Sequence, residues 1–153
     1  EPNLSFAKDI DDIFYGINKL TEQFDFDDDK EKYDKYVVFG SCRDGDAIAI
    51  DTSDNDKIVE LDHEDLFSSK YFNSSINTLA DFLILYQNFE KEVLADKDQN
   101  DNFQNFNFTD EQFENLKQRM LAVDKDAITE DGFWKDELEI ILSIRQEYYG
   151  LHS

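Results

Sequence analysis

Tyr36-Val37-Val38-Phe39-Gly40-Ser41-Cys42-Arg43-Asp44-Gly45-Asp46-Ala47-Ile48-Ala49-Ile50-Asp51 decides the fold. Two short runs of β-branched, aromatic and small apolar residues flank a polar hexapeptide whose Asp44-Gly45 pair favours a tight turn. A second polar turn, Ser53-Asp54-Asn55-Asp56, leads into Ile58-Val59-Glu60-Leu61, a third strand. Connections this short leave no room for a parallel crossover, so the three strands form an antiparallel meander with one face to be covered.

Outward from the meander the hydrophobic period changes to that of helices. Ile76, Leu79, Phe82, Leu83, Tyr86, Phe89 and Val93 mark a long amphipathic helix behind the candidate caps Ser74 and Ser75, and this helix is the expected cover. On the N-terminal side Phe6, Ile10, Ile13, Phe14, Ile17, Leu20 and Phe24 recur at spacings of three and four, which predicts a first helix. From Glu22 to Tyr36 that period dissolves into charge and predicts a solvated loop. Asp96 to Asn107 reads as a polar linker pinned by Phe103, Phe106 and Phe108. Thr109-Asp110-Glu111-Gln112 has capping-box spacing and opens a helix through Phe113, Leu116, Met120 and Leu121. A last helix carries Trp134, Leu138, Ile141, Leu142, Arg145 and Tyr148, with Gly150 as its stop. The expectation is one α+β domain over residues 1–153, with a helical C-terminal tail at 109–150.

Composition narrows the function. The 37 Asp and Glu against 15 Lys and Arg give a net charge of −22, while 14 Phe and 7 Tyr supply enough apolar surface for a core. Such a field repels phosphate, which disfavours nucleic acid and anionic membranes and favours a basic protein partner. The lone Cys42 fits a reducing cytoplasm, and Glu1 to Ile10 shows no signal-peptide pattern. A solubility role for the acidity is the simpler alternative.

Candidate chemistries fare poorly. A calcium loop needs oxygen ligands at alternate positions, Gly at six and Glu at twelve. From Asp25 the sixth position is Lys30 and the twelfth Tyr36; from Asp51 they are Asp56 and Asp62; from Asp96, Asp101 and Asn107. His63, His152 and Cys42 are too scattered for a zinc site. A Cys42–His63 nucleophile is conceivable on neighbouring sheet ends, with Arg43 to activate the thiol, but no third orienting group is evident. The Gly40 to Gly45 loop leads into a strand and lacks the Lys-Ser/Thr ending of a phosphate cradle. Gly45 is instead expected to serve turn geometry and Gly40 a bend at the strand end. No catalytic residue, metal or cofactor is expected.

The stretch from Tyr36 to Asp51, followed by Lys57-Ile58-Val59-Glu60-Leu61 and Asn77-Thr78-Leu79-Ala80-Asp81-Phe82-Leu83, resembles the SUKH superfamily. The likeness rests on a strand ending in Phe-Gly-Ser, a turn ending in Gly45-Asp46, a strand ending in Asp, then a strand and a helix. It covers roughly residues 36 to 90. The Asn-Gly turn usual near the front of that superfamily is missing, and the tail after Asp96 lies outside the pattern. The resemblance implies a helix-decorated antiparallel sheet and, in its bacterial immunity branch, a non-catalytic protein that neutralises a cognate toxin of a polymorphic toxin system in the cytoplasm. A regulatory scaffold is the alternative role. With a basic toxin as partner, the candidate contacts are Asp25, Asp27, Asp28 and Asp29, then Asp54, Asp56, Asp62, Glu64 and Asp65 around the strand ends. Tyr33 and Tyr71 are candidate anchors whose simpler fate is packing.

Overall fold

The computed structural model describes residues 2–8, 16–95 and 107–152. The chain divides into two compact units, Pro2–Ile76 and Asn77–Ser153, and each is described by itself.

The first unit is the sheet. Strands β3 (Tyr36–Cys42), β4 (Ala47–Asp51) and β5 (Lys57–Asp62) form the expected antiparallel meander, extended by β6 (Ser68–Asn73) on β5. On the other side of β3 lie β1 (Leu4–Phe6) and β2 (Asn18–Lys19), both antiparallel to it. Cross-strand partners fix the two faces. Val38, Ala49 and Val59 stand opposite one another, as do Ala47 and Leu61. With Tyr36 these residues form one buried face, closed by Leu20 and Tyr33 with Phe26 and Phe67 packed against it. The period of two places Ile48, Ile58 and Glu60 on the opposite face, where all three are also buried.

The N-terminal segment departs from expectation. Instead of one helix from Phe6 to Phe24, Phe6 lies in β1 and, among the described residues of this stretch, only Leu20–Gln23 (α1) is helical; Ile10, Ile13 and Phe14 lie outside the described residues. Strand pairing overrides the local period here. Phe6 stacks on Phe39 with ring centroids 6.1 Å apart, and its backbone pairs with Gly40. Nor is 22–36 merely a loop: it folds into a 3₁₀ turn at Asp27–Asp29 and a short helix, α2 (Lys30–Tyr33), that buries Tyr33.

The second unit is helical. Helix α3 (Ile76–Leu94) buries Leu79, Phe82, Tyr86, Phe89 and Val93, alternating spacings of three and four that make a single stripe. Helix α4 (Asp110–Val123) starts at the expected capping box: Thr109 Oγ1 accepts from the Gln112 amide at 3.1 Å, and Gln112 Oε1 accepts from the Thr109 amide at 2.9 Å. A short α5 (Asp126–Thr129) precedes α6 (Phe133–His152), which runs through Gly150 instead of stopping there. Trp134, fully buried, meets Phe82 edge-on at 5.3 Å. Arg145 fastens the start of α4 to α6, pairing with Asp110 at 2.8 Å and donating to the Phe108 carbonyl at 3.1 Å.

Candidate functional site

The chemistry-bearing residues of the sheet unit gather where the β3–β4 and β5–β6 turns meet. In the first turn Asp44 and Gly45 both adopt left-handed backbone, φ 63° and 78°, which glycine adopts at low steric cost. This geometry lets the Cys42 amide donate to the Asp46 carbonyl at 2.9 Å. Asp46 Oδ1 then accepts from the His63 amide at 3.2 Å and lies 2.6 Å from His63 Nδ1. That bond, with the charges of Asp46, Glu64 and Asp62, raises the His63 pKa above its ordinary value. Gly40 sits at an irregularity in the β3–β4 register, where a Cβ would lie 2.7 Å from the Ser5 carbonyl oxygen. Only glycine lets β1 come this close without a shift.

The second turn is held by Asp62. Its carboxylate accepts from the Glu64 and Asp65 amides at 2.9 and 3.2 Å, and its carbonyl from the Phe67 amide at 2.8 Å. Leu66 and Phe67 follow in left-handed backbone, φ 49° and 54°, a costly state for bulky residues. The Tyr33 hydroxyl secures it by donating to the Leu66 carbonyl at 2.9 Å. Phe67 enters an aromatic cluster, 5.0 Å from Phe24, 5.3 Å from Phe26 and 6.3 Å from Tyr33. Leu66 itself is left 81% exposed and Phe24 48%. Between the turns and β1 opens a groove of about 340 Å³, lined among others by Phe6, Phe24, Val38, Ala47, His63 and Phe67.

The candidate contact acids fall into two places. Asp25, Asp27, Asp28 and Asp29 are exposed around Phe26, which packs on Phe67, so they adjoin the turn that carries Asp62, Glu64 and Asp65. Asp54 and Asp56 lie in the β4–β5 turn at the opposite end of the strands, roughly 14 Å away by strand rise. There Asp54 pairs with Lys57 at 2.6 Å. Buried Asp51 accepts from the Ser53 amide and hydroxyl at 3.0 and 2.6 Å. Burial pushes its pKa up, but the Ser53 bonds and the charges of Lys35 and Lys57 outweigh this and hold it below the ordinary value.

A nucleophilic pair does not assemble. Cys42 is buried, its thiol donates to the Asp46 carbonyl at 3.6 Å, and burial beside Glu60 pushes the thiol far above its ordinary range. His63 is turned to Asp46 instead. Glu60 is itself raised, chiefly by desolvation. Among the described residues no group of three or more His, Cys, Asp and Glu is placed to hold a metal ion. Tyr33 is core and Tyr71 half-buried. Two exposed apolar residues, Phe24 on the groove and Leu66 in the second turn, escape sequence reasoning: Phe24 ends an apparent helical stripe, and Leu66 and Phe67 are a lone apolar pair in a polar run.

A six-stranded antiparallel sheet, a separate helical unit and acidic exposed turns define an α+β protein with no assembled catalytic group among these candidates. The chain belongs to the SUKH-4 immunity protein family, whose profile matches residues 15–140. That match extends well past the segment carrying the superfamily resemblance and takes in most of the helical unit. No curated protein and no solved structure matches the chain. Among the described residues no helix is long and apolar enough to cross a membrane.

Proposed function

We propose that this immunity protein binds a cognate toxin with a basic surface and neutralises it by covering the toxin's active site or substrate groove. Family membership carries the reading, and the acidic turns around the groove supply the physical complement. A standard interface buries about 800 Å² on each partner. Charge complementarity raises association toward about 10⁸ M⁻¹s⁻¹ at low salt, which suits an antidote that must act before damage accumulates. A toxin that processes nucleic acid presents a cationic substrate groove, the surface that Asp25, Asp27, Asp28, Asp29, Asp62, Glu64 and Asp65 are suited to cover. Neutralisation by occlusion needs no catalytic group, metal or cofactor, and it takes place in the cytoplasm, where the single buried thiol stays reduced.

Co-expression with a candidate cognate toxin tests the proposal. Growth is expected to be restored together with a stoichiometric complex in pull-downs; toxicity that persists despite abundant folded protein contradicts it. A regulatory scaffold would instead recover several weak partners and give no protection.

A further inference from the structure

We propose that Leu66, carried on the β5–β6 turn, is the apolar anchor that enters a pocket of the partner whose rim is basic. This rests on the toxin-binding reading and adds to it the point of insertion and the chemistry of the surface that receives it. A single exposed leucine is ordinary on a protein surface. One held in left-handed backbone is not, because a bulky side chain crowds the neighbouring carbonyl there. Asp27, Asp44, Asn55 and Asp56 also have positive φ, and all four belong to the two types that tolerate it. Leu66 and Phe67 are the exceptions, at 49° and 54°. Phe67 has a reason in the fold, since its ring packs on Phe24, Phe26 and Tyr33. Leu66 is 81% exposed, so packing does not repay its conformation, and asparagine or glycine would hold the turn at lower cost.

The turn presents this leucine rigidly. The Asp62 carboxylate holds the Glu64 and Asp65 amides, the Ser68 hydroxyl donates to the Asp65 carboxylate at 2.8 Å, and the Tyr33 hydroxyl holds the Leu66 carbonyl. A side chain fixed in this way loses little freedom on docking. The charge around it selects what receives it. Asp62, Glu64 and Asp65 precede Leu66 in the same turn, while Lys32 and Lys35 share a hollow of about 280 Å³ with Leu66 and Asp65. Lys35 already faces Asp51 at 3.7 Å, which leaves the acids in excess. A second copy of the chain would press like charges together, and an anionic membrane would be repelled. A partner pocket with an apolar floor and Lys or Arg at its rim takes the leucine and meets the acids.

The probe is the toxin whose growth inhibition the wild-type chain relieves, carrying an inactivating substitution, so the immunity reading is decided before this one. Association and dissociation rates are measured for full-length variants at low and at high salt. Leu66→Asn, in a chain that melts no lower than the wild type, is expected to bind about tenfold to a hundredfold more weakly, the scale of one buried leucine. The loss comes from faster dissociation and is the same at both salt concentrations. Leu66→Met keeps affinity within about threefold, as a volume-conserving apolar exchange should. Glu64→Gln instead slows association, and does so only at low salt. Leu66→Asn binding as tightly as the wild type overturns the proposal while immunity stands. A wild-type dimer in sedimentation that Leu66→Asn abolishes overturns it as well, since the leucine then serves a second copy. If the chain relieves no toxin, the underlying reading falls and this one with it.

Discussion

His63 Nδ1 lies 2.6 Å from Asp46 Oδ1, and the His63 amide donates to the same oxygen at 3.2 Å, so one carboxylate ties the β3–β4 turn to the β5–β6 turn. The Asp46 bond raises the His63 pKa, and a raised folded-state value means that protonation favours the fold. The imidazolium's contribution is therefore complete below the ordinary value of 6.5 and is lost as pH rises through the higher folded value. Histidine ring titration by NMR should show His63 above 6.5 in the native chain and back near it in Asp46→Asn. Identical titration in both proteins would remove the latch.

Glu60 gives a second pH signature. Burial raises its pKa, so the ionised form destabilises the fold and its effect grows as pH rises through the folded value. Glu60→Gln, neutral and nearly isosteric, should raise the melting temperature at pH 7 to 8 and change it little near pH 4. A lower melting temperature at neutral pH would mean that the charge is satisfied in the fold.

Cys42 should be inert in the native protein. Its thiol is buried beside Glu60 and pushed far above the range in which a thiolate forms at neutral pH. Iodoacetamide at pH 8 should leave the folded chain unlabelled over a time that fully labels it in denaturant, as read by intact mass. Fast native labelling would reinstate Cys42 as a reactive group.

Leu66 exchanges stability for exposure. It is 81% exposed at φ 49°, a conformation that asparagine tolerates far better than leucine. Leu66→Asn should raise unfolding free energy by up to about 1 kcal/mol, since strain in this region costs on the order of 1 to 3 kcal/mol. In the proposed complex the same change should lower toxin affinity by removing an apolar anchor beside the acids. Denaturant unfolding and titration calorimetry separate the two effects; loss of stability with unchanged affinity would contradict this role.

What was legible in the sequence follows from how local each signal is. The meander could be read because Asp44-Gly45 and the alternating runs on either side specify a hairpin without help from distant residues. The α4 start could be read because both capping bonds lie within four residues, Thr109 to Gln112. β6 carries no such local signal: Ser68-Ser69-Lys70-Tyr71-Phe72-Asn73 has no apolar alternation, and its strand character comes from pairing with β5. β1 looks helical in the sequence because Phe6 belongs to a stripe of period 3.6, while its actual partner, Gly40, lies more than thirty residues away. The groove was hidden for the same reason. Gly40, Gly45 and Asp46 stood out as turn residues, but nothing local announces that Asp46 reaches across 17 positions to His63.

Stoichiometric inhibition tests the central claim most directly. Purified toxin is assayed against increasing amounts of the full chain at low and at high salt. Activity should fall linearly to zero at one equivalent, with association slowed by added salt because the acidic turns steer the encounter. Toxin activity that is unchanged by excess folded chain at either salt concentration would contradict neutralisation by binding.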